Sequence, residues 1–482
     1  MKLKSMMKLQ ASVSTCSHMS GGVFLLCVVV FLKFCSGLAV STHSTVEFLP
    51  GFQGILPFHL ETGYVGVGES EEVQLFYYFV KSERKPDKDP LFLWLTGGPG
   101  CSAWSGLVFE IGPLRYKVEQ YNGSLPTLVL NPFSWTKVSS IIFVDSPVGT
   151  GFSYGRTSMA SQSGDFKQVD HLLQFFRKWL INHPEFISNP FYIGGDSYSG
   201  LTVPVLVQQI TKENEGGIIQ SINLQGYLLG NPGTEPGEGN FAIPFAHGMA
   251  LISDELYKSL EKSCGGEYIN VKPSNTECQK HLQAYDKCVS GIDKAYILDP
   301  YCSFSSPKPQ DGRYERRLLN EKYQAVTDSE SLPTLGCREY EHLLSRYWAN
   351  DPDVRQALHI RNGSIGQWQR CNFDLPYQRE VHNSFPYHVK LSTIGYRSLI
   401  YSGDHDMLVP YLGTQAWIRS LNYSIVDDWR PWLVKGQVAG YTRTYSNRMT
   451  FATVKGAGHT APQYKPEECF GMFKRWIDYE PL

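Results

Sequence analysis

Short apolar runs recur along the chain, each closed by a glycine-rich or polar turn: 91–95 (LFLWL), 141–144, 191–193, 222–229, 399–401 and 450–454. Runs of this length, bounded by turn residues, read as buried strands. Between them, 166–181, 201–210 and 466–477 carry helical spacing. Strands alternating with helices predict an α/β fold with a mainly parallel central sheet covered by helices on both faces. Residues 63–69 and 73–80 predict an antiparallel hairpin at the sheet edge. From 233 to 385 the pattern breaks, with six cysteines, many polar residues and no strand series. This stretch is expected to be an insertion, or cap, within a single domain spanning 40–482. Inside it, 303–333 is charged and poor in apolar residues and includes Arg313-Tyr-Glu-Arg-Arg317. It predicts an exposed loop open to proteolysis.

The first residues follow another logic. Lys2, Lys4 and Lys8 precede an apolar run from Gly22 to Leu32, and Ser36-Gly-Leu-Ala39 follows. The run stops at Lys33, short of the roughly 20 residues that span a bilayer. Residues 1–39 therefore read as a secretory signal rather than an anchor, and no membrane contact is expected after its removal. Of 11 cysteines, Cys16, Cys27 and Cys35 lie in that segment; the other eight form no Cys-x-x-Cys pair. Disulfides are expected, and neither a metal nor a cofactor. The sequons at Asn122, Asn362 and Asn422 agree with a lumenal chain, extracellular or vacuolar. A formal net charge of −2 gives no electrostatic footprint for nucleic acid, and oligomeric state has no signature here.

The chemistry gathers in four loops. Gly195-Asp-Ser197-Tyr-Ser199-Gly200 follows a strand and precedes an apolar helix, the setting of a nucleophile elbow, although its second glycine stands one residue beyond the Gly-x-Ser-x-Gly pattern. A serine needs a base and an orienting carboxylate, in the order Ser, Asp, His for this architecture. Ser402-Gly-Asp404-His-Asp406 and Gly456-Ala-Gly-His459 both follow strands. Asp404 and Asp406 are the two candidate acids. Asp406, just before Met-Leu-Val, is placed to turn inward, while Asp404 suits a turn cap. Thr96-Gly-Gly-Pro-Gly100 could supply one oxyanion amide, and Tyr198, after the nucleophile, the other. Taken alone, that glycine run would be a plain turn.

Together, Trp94-Leu-Thr-Gly-Gly-Pro-Gly-Cys-Ser102, Val144-Asp-Ser-Pro-Val-Gly-Thr-Gly-Phe-Ser-Tyr154, Gly195-Asp-Ser-Tyr-Ser-Gly200 and Gly456-Ala-Gly-His459 resemble the serine carboxypeptidase family of α/β hydrolases, over nearly all of the chain after the signal. The resemblance implies Ser197, Asp406 and His459 as the triad, the amides of Gly98 and Tyr198 as the oxyanion hole, and Trp94, Thr96, Gly97, Glu110 and Asp196 against the substrate. It also implies the pairs Cys101–Cys371, Cys264–Cys278 and Cys302–Cys337, leaving Cys288 and Cys469 over. Peptidases of the family typically carry Asn before the Gly-Gly pair and Glu-Ser-Tyr-Ala-Gly at the elbow. Thr96, Asp196 and Ser199 depart from this and look like the plant acyltransferase branch. The expected partners are then an acyl glucose donor and a hydroxyl acceptor. The rival expectations are a carboxypeptidase using the same triad and a non-catalytic lumenal binding protein.

Overall fold

The computed structural model describes residues 42–217, 221–300, 302 and 335–482. The signal segment 1–39 and the loop 303–333 lie outside them.

One large sheet organises the chain. Its principal strands are β1 (Thr42–Val46), β2 (Leu60–Val67), β3 (Val73–Val80), β4 (Leu91–Leu95), β5 (Ser140–Val144), β6 (Phe191–Asp196), β7 (Leu224–Gly230), β8 (Arg397–Gly403), β9 (Ile425–Val434), β10 (Gln437–Tyr445) and β11 (Met449–Val454), in the spatial order β1-β2-β3-β5-β4-β6-β7-β8-β11-β10-β9, and the two-residue strand Tyr154–Gly155 pairs with β3 off this path. The run β5-β4-β6-β7-β8-β11 is parallel throughout. Antiparallel ribbons flank it, β2–β3 on one side, with β1 beside β2, and β9–β10 on the other. The expected hairpin is therefore one strand in from the edge, which β1 occupies.

Alternate residues of each strand point to opposite faces, and along the parallel run both faces are buried. On one, Phe76, Tyr78, Phe92, Trp94, Phe143 and Tyr192 pack with Tyr340, Leu344 and Trp348 and with Met472, Phe473 and Trp476. On the other, Tyr77, Phe79, Leu93, Ile142 and Ile193 pack with Phe175, Phe176, Trp179, Leu206 and Ile210. The covering helices are α1 (Asp165–Asn182), α2 (Ser199–Gly216), α5 (Arg338–Asn350) and α6 (Pro466–Ile477). α2 runs two turns beyond its apolar stretch, because Lys212, Glu213 and Glu215 continue a helix readily when one face meets water.

The described residues between 233 and 385 include several helices, among them α3 (Asp254–Cys264) and α4 (Thr276–Val289). Ser253 and Asn275 cap these two by accepting from the amides of Leu256 and Cys278. α3 and α4 share an apolar cluster of their own with Ile243, Phe245 and Met407, whereas α5 belongs to the main core. Disulfides join Cys101 to Cys371, Cys264 to Cys278 and Cys302 to Cys337; Cys288 is exposed and Cys469 buried, both as thiols. The disulfides fit the oxidising secretory pathway. Asn122, Asn362 and Asn422 are all exposed. Among the described residues no helix is long and apolar enough to cross a membrane.

Candidate active site

Because β4, β6, β7, β8 and β11 run in one direction, the loops after them open on one rim of the sheet, where open α/β sheets hold their sites. The five loops deliver Thr96 to Gly100, Ser197, Asn231, Asp404 to Asp406, and His459.

Ser197 stands between β6 and α2 at φ 54°, a left-handed backbone that a non-glycine residue adopts only when the surroundings enforce it. Its amide donates to the Gly230 carbonyl at 2.9 Å. Gly97 lies so close that a Cβ there would fall 2.7 Å from that of Ser197, so the oxyanion loop can approach the elbow only with glycine at this position. The same virtual atom would lie 3.1 Å from the Tyr198 amide nitrogen, which places both loops at one spot. Asp145 holds the end of the oxyanion loop, accepting from the Ser102 hydroxyl at 2.7 Å, the Ala103 amide at 2.8 Å and the Phe152 amide at 2.8 Å.

His459 Nε2 lies 2.8 Å from Ser197 Oγ, and its Nδ1 lies 2.7 Å from Asp406 Oδ2. With a carboxylate beside Nδ1, that nitrogen carries the proton and Nε2 is free to accept from the serine. Asp406 is fully buried and takes the Leu408 and Val409 amides on Oδ1, at 2.8 and 3.2 Å. Asp404 is directed elsewhere, accepting from His405 Nδ1 and the Gly456 amide and so tying the acid loop to the histidine loop. Of the two acids, Asp406 is the one whose carboxylate faces the imidazole.

Two supports escaped the sequence reading. Asn231, buried at φ 42°, donates from Nδ2 to Asp406 Oδ2 at 2.8 Å and accepts the Gly403 amide on Oδ1 at 3.2 Å. Its only sequence signal, Asn-Pro-Gly after a strand, is that of any turn. The insertion also reaches in: the Lys294 carbonyl accepts from the Met407 amide and that of Ala295 from the His459 amide, at 2.9 and 2.7 Å. One short segment therefore positions acid and base together. Asn231→Ala is expected to lower kcat about 10- to 100-fold with little change in KM, since a hydrogen bond to a charged group is worth about 1.5–3 kcal/mol. Steady-state kinetics on a variant with unchanged circular dichroism measures this.

Electrostatics sets the protonation states. Burial pulls the His459 imidazole down, but the Asp406 charge and hydrogen bond, helped by Asp196 and opposed by Arg338, raise its pKa above the ordinary value. Burial drives Glu110 well up, and the Asp196 charge adds to this against Arg370. Asp196 is raised chiefly by burial as well, while His459 and the Gly97 amide, 2.9 Å from Oδ1, pull it back. Two buried carboxyls that repel favour sharing one proton between them. Glu110 ends a short π-helical turn, Gly106–Glu110, beside the fully buried Trp94. Glu110 Oε2 and Thr96 Oγ1 are buried without a hydrogen-bond partner among the described residues.

A base must be neutral to accept the serine proton. Activity is therefore expected to fall as pH drops through the raised His459 pKa, and kcat/KM to rise with a midpoint above about 6.5, the unperturbed value. Asp196→Asn removes one of the raising charges and is expected to move the midpoint down. A pH–rate profile of both proteins checks this.

The family model for serine carboxypeptidases matches residues 50–479. The chain belongs to the serine carboxypeptidase family. It is an α/β-hydrolase-fold enzyme of that class, which works through a Ser-His-Asp triad. It is 57% identical over 458 residues to serine carboxypeptidase-like 1 of Arabidopsis thaliana, covering 95% of this chain and 97% of the relative. It is 56% identical over 448 residues to serine carboxypeptidase-like 19 of the same plant, covering 92% and 96%. Among solved structures, the prohormone-processing carboxypeptidase Kex1(delta)p from Saccharomyces cerevisiae superposes with a TM-score of 0.66 over 88% of this chain and 92% of the other, at 20% identity. That likeness concerns the fold.

Proposed function

We propose that this serine carboxypeptidase-like protein is an acyltransferase that moves an aromatic acyl group from a 1-O-β-glucose ester to an acceptor hydroxyl. The carrying observation is the corner formed by Thr96, Asp196 and Glu110. Asp196 spends one carboxylate oxygen on the Gly97 amide, and threonine stands where the family's peptidases place an asparagine amide. A peptide C-terminal carboxylate would meet one charged carboxyl there and lack a donor worth about 1.5–3 kcal/mol. The unpartnered Thr96 hydroxyl and a carboxyl pair that shares one proton offer instead donors and acceptors suited to neutral sugar hydroxyls.

In the proposed cycle Ser197 Oγ attacks the ester carbonyl while His459 Nε2 takes its proton. The Gly98 and Tyr198 amides receive the oxyanion. Collapse breaks the bond to the glucose oxygen, which leaves with the proton from His459. The acceptor hydroxyl then gives its proton to His459 and attacks the acyl-serine, and the new ester departs as Ser197 regains a proton. Water competes at about 55 M, yet a held acceptor reaches effective molarities of about 10⁵ M or more. In this reading the helical insertion holds it. The reaction belongs in an oxidising lumenal or extracellular compartment, the vacuole among them.

Purified protein given sinapoyl or galloyl glucose with a panel of alcohols is expected to yield a product with the mass of the acyl ester. A blocked dipeptide assayed in parallel is expected to stay intact. Peptide release without ester transfer overturns the proposal.

A further inference from the structure

Far from the triad, on the antiparallel flank of the sheet, three residues converge: His43 on β1, Glu61 on β2 and His183 directly after α1. One ligand atom from each lies within 4.8 Å of the others. We infer that His43, Glu61 and His183 form a divalent transition-metal site, suited to Zn²⁺, that fastens the first strand to the sheet and to the end of α1.

His183 is buried. Its Nδ1 lies 2.9 Å from the Trp179 carbonyl, which can only accept, so Nδ1 carries hydrogen. Nε2 faces both oxygens of buried Glu61, at 3.0 and 3.2 Å. Either a proton or a cation stands between them, and a cation there has Nε2 and the carboxylate as ready ligands. These separations are close to the roughly 3.3 Å edge of a tetrahedron with 2.0–2.1 Å metal–ligand bonds. Outer partners of the usual kind are in place. The Trp179 carbonyl fixes the tautomer of His183, and the Tyr77 hydroxyl donates to Glu61 Oε1 at 2.7 Å. His43 is exposed, its ring 5.3 Å from that of His183. It gives the ion an entry path and has the freedom to close the remaining gap. Two imidazoles and a carboxylate, with the fourth position open to water, make a donor set that zinc accepts.

The test is calorimetric titration of the chelator-treated full chain with ZnCl₂ at neutral pH. Wild type is expected to take up one zinc per chain with a rise in Tm. His43→Ala, an exposed change that leaves the fold intact by circular dichroism, is expected to weaken binding at least tenfold and remove the Tm rise. His247→Ala, which deletes the separate surface pair with Asp254, is expected to change neither. Absence of saturable zinc binding in wild type, or unchanged affinity in His43→Ala, overturns the inference.

Discussion

Replacing Ser197 with alanine is expected to lower kcat about 10⁶-fold while leaving substrate binding and the fold in place. In a serine, histidine and aspartate unit the members act together, and loss of the nucleophile removes nearly all of the covalent route. The geometry makes the variant clean. Alanine keeps the Cβ that Gly97 is shaped to receive, and the backbone bonds of residue 197 to Gly230, Gly200 and Gly233 do not involve the hydroxyl. His459 loses only its 2.8 Å contact to Oγ. A fluorophosphonate probe should label the wild type at Ser197 and leave the variant unlabelled. Turnover within tenfold of wild type in the alanine variant would show that the chemistry lies elsewhere or that the fold serves binding alone.

The second large effect is at the acid. Asp406→Asn is expected to reduce kcat about 10⁴-fold, the scale seen when the orienting carboxylate of such a unit becomes an amide. An amide at 406 can still accept the Leu408 and Val409 hydrogens on one side. Its NH₂ then confronts both Asn231 Nδ2 and His459 Nδ1, where two donors now meet a donor. The imidazole turns to the tautomer that presents Nε2–H to the serine, which can no longer give up its proton. Asp404→Asn, two residues away, is expected to cost less than tenfold, because Asp404 serves the Gly456 amide and His405 rather than the base. Equal losses in the two variants would contradict this division of labour.

How much of this could be read from the sequence depended on burial. The parallel strands were legible because both faces are covered, so each is a short unbroken apolar run. The ribbon β9–β10 was not, since β9 is largely exposed and mixes Asp427, Asp428 and Arg430 among its apolar residues. Its two-residue turn uses Lys435 and Gly436, both at positive φ, where Asn-Gly would have announced a hairpin. The triad residues were legible because glycine-rich loops after buried strands mark the rim of such a sheet. Their supports were not: Asn231 reads as a turn residue, and the Lys294-Ala295 segment acts through carbonyls, which any side chain would supply. His43, Glu61 and His183 carry no spacing motif, because they meet only through the pairing of β1 with β2 and the packing of α1 on the sheet.

The central claim is that an acyl group rests on Ser197 between donor and acceptor. Rapid quenching after mixing the enzyme with acyl glucose alone, followed by intact and peptide mass analysis, tests it directly. The account predicts a burst of one glucose per chain, one acyl mass on the peptide containing Ser197, and loss of that mass into ester when alcohol is added. Glucose release that waits for the alcohol, with Ser197 unmodified at every time point, would contradict it.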